Sequence, residues 1–301
     1  MSVHIVTTAN KSDGYYEILK ESCIRNGCKL TTLGFGEKWT GFIWKYEQLK
    51  KFLKSVNSDD IVIFVDGFDV VMNEHIDIFI QKYKKFNKSI VLSVIYNSNT
   101  LKFIEKRVFG TVKYHGSDYF ICSGLYVGRV SDLTYMFDLM DIDSDINNDD
   151  QLLLTKFIIN NPKFVNEKIA LDTQMELFTN ASQPTYLDLI LKKSDTLTIS
   201  CTDGYILNNL GNRSVFIHGP GKADLKPYLK QIGYTNIPDA EPYQLSGFKH
   251  ISKLFLAGMF WYDWVIVFIV LIIVVFTIVM TVRAIRYKKY SDRIKTHTSY
   301  V

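Results

Sequence analysis

Asp59–Val71 reads DDIVIFVDGFDVV. Its centre, Ile61–Val65 (IVIFV), is continuously apolar and too short for a helix, which predicts a strand buried on both faces of a parallel sheet. Asp66 and Asp69 follow at once, three residues apart across a glycine-containing turn. In open α/β sheets ligands gather at the carboxyl ends of strands, and this pair stands there. Two such carboxylates can converge on one hard cation, Mn²⁺ or Mg²⁺, that keeps open positions for water and phosphate oxygens. Spacing alone is weak evidence, since at average Asp usage a chain of this length shows roughly one Asp-x-x-Asp by chance. A second does occur, at Asp138 and Asp141, in a stretch that reads as an amphipathic helix. The apolar strand is what sets Asp66 and Asp69 apart.

Outward from that strand, apolar runs and helical periodicities alternate. Val3–Thr7, Lys29–Phe35 and Ser89–Val94 read as strands, and Asp13–Asn26, Trp44–Val56 and His75–Phe86 as helices. Tyr119–Val127 reads as a strand interrupted at Ser123-Gly124, and Asp149–Ile159 as a helix with acidic residues in its first turn, where the dipole favours them. Later strands are expected at Ile169–Leu171, Thr198–Thr202 and Ser214–His218. The alternation predicts an α/β domain with a mostly parallel central sheet and helices on both faces.

Other candidate site residues lie at the ends of these elements. His218 closes the apolar strand Val215–Ile217 and enters His218-Gly219-Pro220-Gly221-Lys222. A histidine at a strand end is more often structural than a ligand, but a neutral imidazole joining two carboxylates suits a Mn²⁺-like ion. Gly219 and Gly221 allow close backbone approach, and Lys222 is placed to meet a phosphate. Asp149 and Asp150 read either as a helix cap with an acidic first turn or as carboxylates that orient or deprotonate an acceptor hydroxyl. Phe68 and Trp39 are candidates for stacking on a base, although most aromatic residues are simply core. No P-loop, GxGxxG, HExxH or GxSxG pattern occurs.

The chain has 301 residues, of which 47% are apolar. Val265–Val282 carries no charge, and at about 1.5 Å per residue such a run crosses a hydrocarbon core of roughly 30 Å. Trp261, Tyr262 and Trp264 flank one end, and Arg283, Arg286, Lys288, Lys289, Arg293 and Lys295 the other. We read this as a single transmembrane helix in contact with lipid. The expected organisation is a catalytic domain over 1–245, a connector over 246–260, the helix over 261–283 and a basic tail over 284–301. The net charge of +4 is carried by the tail, so the rest gives no argument for nucleic acid. The basic tail favours a cytosolic C-terminus, whereas Met1–Val6 runs into a strand without a leader peptide. Of these opposed signals the second is the stronger, and a cytosolic catalytic domain is expected. The four cysteines show no CxxC or zinc spacing.

Taken in order, seven stretches resemble the glycosyltransferase domain of the procollagen-lysine hydroxylase/glycosyltransferase family and related stand-alone domains of large DNA viruses. They are TLGFGEKWTG (Thr32–Gly41), Lys45 in the helix after it, DDIVIFVDGFDVV, YFICSGLYVG (Tyr119–Gly128), DDQL (Asp149–Leu152), LDTQMELFTN (Leu171–Asn180) and VFIHGPGK (Val215–Lys222). The resemblance implies a GT-A fold and metal-dependent transfer of glucose or galactose from a UDP-sugar to a hydroxyl. The implied acceptor is a protein or glycan, with hydroxylysine or galactosyl-hydroxylysine of a collagen-like protein foremost. It implies Asp66, Asp69 and His218 as metal ligands, Thr7, Trp39 and Phe68 around the nucleotide, Lys45 and Lys222 on phosphates, and Asp149 and Asp150 on the acceptor side. Phe68 stands where the family has a tyrosine, and Cys122 where it has an asparagine. The rival readings are a degenerate, membrane-anchored version of the fold that only binds, as a virion surface protein would, and a metal-dependent phosphohydrolase.

Overall fold

Strand β3 (Ile61–Val65) is buried at every position and runs through the middle of the domain. Its side chains alternate between two cores, as strand geometry requires. Val62 and Phe64 enter one cluster, with Tyr46, Leu49, Tyr126, Phe137 and Leu154. Ile61, Ile63 and Val65 enter the other, with Leu19, Phe79, Val127 and Phe216. A run with no polar position is what a strand covered on both faces demands.

The structure is a computed structural model that describes residues 1–95, 102–140, 149–181, 199–220, 223–239 and 261–298. Two compact units are present, Met1–His250 and Ile251–Val301. In the first, β1 (Val3–Thr8) is followed by α1 (Tyr16–Arg25), β2 (Leu30–Leu33), α2 (Ile43–Leu53), β3, β4 (Val70–Met72), α3 (Ile76–Lys85) and β5 (Ile90–Ile95). Then come α4 (Lys102–Phe109), β6 (Val112–Tyr114), β7 (Ser117–Arg129), α5 (Val130–Leu139), α6 (Asp150–Asn160), α7 (Pro162–Lys168) and β8 (Ile169–Asp172). Short strands β9 (Phe178–Asn180), β10 (Ser200–Thr202), β11 (Tyr205–Leu207) and β12 (Phe216–His218) precede a last short helix, Lys226–Gln231.

The main sheet has the order β2-β1-β3-β7-β5-β8, with β6 paired to β7. Strands β2, β1 and β3 are parallel, as are β5 and β8, while β7 runs antiparallel between β3 and β5. The expected α/β domain with a central sheet is therefore present, and the sheet is mixed, since β7 is antiparallel to β3, β5 and β6. Strand β7 is continuous where an interruption was expected, but its pairing with β5 slips between Leu92 and Val94. The irregular stretch falls around Ser123 and Gly124. A bulge of this kind re-aims the backbone next to a site.

A second sheet, β4-β12-β9, sits at the end of β3. Its register sets His218 opposite Val70 on one side and opposite Asn180 on the other. The adjacent bond from Gly219 N–H to the Asp69 carbonyl, 2.8 Å, ties the two strand ends together. This pairing carries His218 to the Asp66–Asp69 turn.

The second unit contains one 38-residue helix, Trp261–Thr298. Its segment Phe268–Tyr287 has a mean hydropathy of 2.8 and is long and apolar enough to cross a membrane. The helix continues past residue 283, where the basic tail was expected to begin, as far as Thr298.

Candidate active site

The Asp66–Asp69 turn is shaped by what packs around it. Asp66 N–H donates to the Gly124 carbonyl at 2.8 Å, which docks the turn on β7. Gly67 leaves no room for a side chain, since a Cβ there would lie 2.8 Å from the Thr8 carbonyl and 3.0 Å from Thr7 Oγ1. Gly14 has φ +50°, a conformation open to glycine, and Tyr15 N–H beside it donates to the Phe68 carbonyl at 2.7 Å.

Asp66, Asp69 and His218 each offer an oxygen or nitrogen within 4.8 Å of the others. His218 Nε2 lies 3.2 Å from Asp69 Oδ1 and 4.0 Å from Asp66 Oδ2. The ring's other nitrogen, Nδ1, meets Asn180 Oδ1 at 2.7 Å. Asn180 has its own orientation fixed, because its Nδ2 donates to the Val94 carbonyl at 2.8 Å and to Ser93 Oγ at 2.7 Å. Its Oδ1 must therefore accept, His218 Nδ1 must carry a proton, and Nε2 is turned toward the carboxylates. A metal-binding histidine needs this arrangement, one nitrogen oriented by an acceptor and the other presented to the ion. Burial disfavours a charged ring, but the Asp69 carboxylate outweighs it and holds the His218 pKa well above the usual histidine range. In the protein alone a proton on Nε2 occupies the place a cation would take.

Gly124 completes the floor. A Cβ at that position would come within 3.0 Å of Asp66 Cγ and of His218 Cε1, and closer still to Asp66 Oδ2. The residues thus fit a hard divalent cation, with two carboxylates, one tautomer-fixed imidazole and a backbone kept bare beneath them.

Beside this cluster opens a cleft of about 390 Å³, lined among others by Thr8, Trp39, Phe42, Lys45, Asp66 and Phe68. Trp39 and Phe42 are exposed at its edge, with their rings 5.6 Å apart and edge-on. Phe68 lines the cleft, but Thr7 does not. It is fully buried with its hydroxyl unpartnered among the described residues, and Thr8 takes the lining position.

Lys45 is 7% exposed and lies between two carboxylates, 2.9 Å from Asp66 Oδ1 and 2.6 Å from Asp150 Oδ2. Burial lowers the pKa of an ammonium, but Asp150 and Asp66 more than offset it and push Lys45 up, so the side chain stays charged. It is expected on phosphates; here it is held by carboxylates at the cleft wall. Asp149 caps α6, its Oδ1 accepting from Leu152 N–H at 2.9 Å. Asp150 is buried, and its backbone carbonyl accepts from the Tyr46 hydroxyl at 3.0 Å. Gly219 serves the β12 turn, with Ala223 N–H donating to its carbonyl at 3.2 Å, while Gly221 and Lys222 lie outside the described residues. The chance motif is occupied elsewhere, since Asp138 pairs with Lys50 at 3.1 Å; Asp141 lies outside the described residues. Asn180 and Gly124 are the residues that sequence reasoning passed over. Both stand inside stretches that carry the family resemblance, but only strand register shows what they face.

The central strand of a mixed sheet thus delivers an acidic turn to an aromatic-walled cleft. The model of the PLOD GT domain matches residues 1–235, and the chain belongs to that family. It is 25% identical over 249 residues to procollagen-lysine,2-oxoglutarate 5-dioxygenase of Drosophila melanogaster, covering 77% of this chain and 33% of that one. It is 30% identical over 189 residues to procollagen-lysine,2-oxoglutarate 5-dioxygenase 1 of Mus musculus, covering 58% of this chain and 25% of that one. The chain therefore spans about a third or less of the length of these relatives. Among solved structures, the galactosyltransferase LgtC with donor and acceptor sugar analogues is 11% identical, with a TM-score of 0.39, covering 84% of this chain and 95% of that one. A likeness at that score carries no argument about activity.

Proposed function

We propose that this chain is a GT-A hexosyltransferase that moves glucose or galactose from a UDP-sugar to a hydroxyl acceptor. Asp66, Asp69 and His218 would hold Mn²⁺ or Mg²⁺. The observation that carries the reading is the orientation of His218, whose Nε2 faces Asp66 and Asp69 because Asn180 engages Nδ1. An ion held there would neutralise charge growing on the leaving diphosphate. The protein's part is to fix the ligands, to keep Gly124 bare beneath them, and to offer Trp39, Phe42 and Phe68 as surfaces for the uracil ring.

The acceptor reading rests on family membership and takes a hydroxyl of collagen-like protein, hydroxylysine or a galactose already on it. In this arrangement Asp149 and Asp150 are engaged by the α6 backbone and by Lys45, so we assign neither the role of base. Phe268–Tyr287 anchors the enzyme in a bilayer, with residues 1–245 as the catalytic domain.

Full-length protein in detergent should release UDP from UDP-glucose or UDP-galactose with Mn²⁺ and not with chelator. Asp69→Ala should abolish the release and Asp138→Ala should leave it. Absence of both UDP binding and metal-dependent release would overturn the enzyme reading in favour of a binding-only fold.

A further inference from the structure

Lys45 joins two parts of the molecule by ion pairs, the metal-site turn after β3 and the first turn of α6. Its ammonium is buried, and removing either carboxylate would leave it to the other. Both ends are held. Asp66 is tied to β7 through its backbone, and Asp150 sits in a turn fixed by the Asp149 cap and the Tyr46 hydroxyl. Asp150 is 6% exposed, and the cleft is lined by Lys45 and Asp66, so Lys45 stands between Asp150 and the cleft. Its Oδ2 also lacks a well-aligned hydrogen-bond donor among the described residues, which leaves the close contact with Lys45 as its partner. That placement suits a group acting on Lys45 better than one touching an acceptor.

Asp66 uses its two oxygens differently. Oδ1 faces Lys45, while Oδ2 faces His218 and the metal position. The ammonium and a divalent cation therefore compete for the same carboxylate charge. We propose that Asp150 is a positioning residue that acts through Lys45: by sharing the ammonium, it keeps Asp66 available to the metal, and so sets metal affinity from behind the cleft wall. This rests on the metal reading above. It differs from an acceptor-side role, in which Asp150 would affect turnover and leave metal binding alone.

The test is Mn²⁺ binding to the full-length protein in detergent, without nucleotide or acceptor, read from the electron paramagnetic resonance signal of free Mn²⁺. Asp150→Asn should raise the Kd about 10- to 100-fold, the range found when partners of metal ligands are lost. In a Lys45→Met background the same Asp150→Asn change should alter the Kd by less than about threefold, since the group through which it acts is gone. An unchanged Kd in Asp150→Asn would overturn the proposal and leave an acceptor-side role. Equal losses in both backgrounds would overturn it in favour of direct charge attraction across the gap. Asp150→Glu keeps the charge, protects the fold and displaces the carboxylate. It should give a smaller loss, again abolished by Lys45→Met; a loss that persists there would overturn the proposal. Wild-type protein is the control for the underlying reading. If it binds no Mn²⁺, the metal site and this inference fall together, whereas a normal wild-type Kd with an unaffected Asp150→Asn removes only the inference.

Discussion

Replacing Gly124 with alanine puts one methyl group into the floor between Asp66 and His218. The new carbon would stand 3.0 Å from Asp66 Cγ and from His218 Cε1, whereas comfortable carbon–carbon contact is about 3.5–4.0 Å. Something must give by about half an ångström or more. The imidazole is pinned, with Nδ1 on Asn180 and the whole ring buried. The Asp66 side chain is a quarter exposed and borders the cleft, so it is the group that yields. Overpacking by a methyl costs about 1–3 kcal/mol, and taken wholly as lost ligand geometry that is roughly a 5- to 150-fold weaker Mn²⁺ complex. The melting temperature should move little, because an outward turn of a cleft-facing carboxylate relieves the clash. Isothermal titration with Mn²⁺, paired with thermal melts, reads both quantities. Wild-type Mn²⁺ affinity in Gly124→Ala would refute the reasoning. So would a loss that appears only with a large drop in melting temperature, since the strain would then be borne by the sheet.

Asn180→Ala removes the acceptor that fixes the His218 tautomer and should weaken Mn²⁺ binding by about 10- to 100-fold, as titration will show. Asp172 is fully buried and accepts from the backbone N–H groups of Glu176, Leu177 and Phe178. Burial outweighs those bonds and pushes its pKa from 3.8 up to about 6. A carboxyl raised on folding binds its proton more tightly in the folded chain, so this group adds stability as pH falls from above 6 toward 4. The gain is about 3 kcal/mol for a two-unit shift; a carboxyl ¹³C titration of Asp172 with a midpoint near or below 4 would contradict it. Deleting 261–298 should release the protein from membranes without detergent, and retention in the membrane pellet would argue against the helix as anchor.

The parts legible in the sequence were those in which one local signal decides. Ile61–Val65 has the same bounds in sequence and structure because five apolar residues followed by Asp and Gly leave no other reading. Asp149 is a cap because a carboxylate before an apolar periodic run meets bare N–H groups wherever the helix goes. The direction of β7 was not legible, since an apolar strand reads alike in both directions, and β4, β9 and β11 are too short for any period to show. Asn180 escaped for a related reason: its partners Ser93, Val94 and His218 come from three separate stretches, and only pairing brings them together. Lys45 was expected on phosphates, whereas the charges it meets here are those of Asp66 and Asp150, and that depends on α6 coming to lie against it.

The three-residue strand β12 has a consequence for how the protein matures. A slip of one residue in its pairing would turn His218 to the opposite face of the small sheet. The strands of the large sheet would still pair, although Phe216 would leave the cluster that it shares with Ile63 and Val65. A chain in the slipped register would be blind to metal, so cation binding would report that this long-range pairing has formed. A cation present during synthesis would favour the correct register by mass action. Protein produced under metal starvation should then contain a fraction that looks folded by circular dichroism yet never becomes competent.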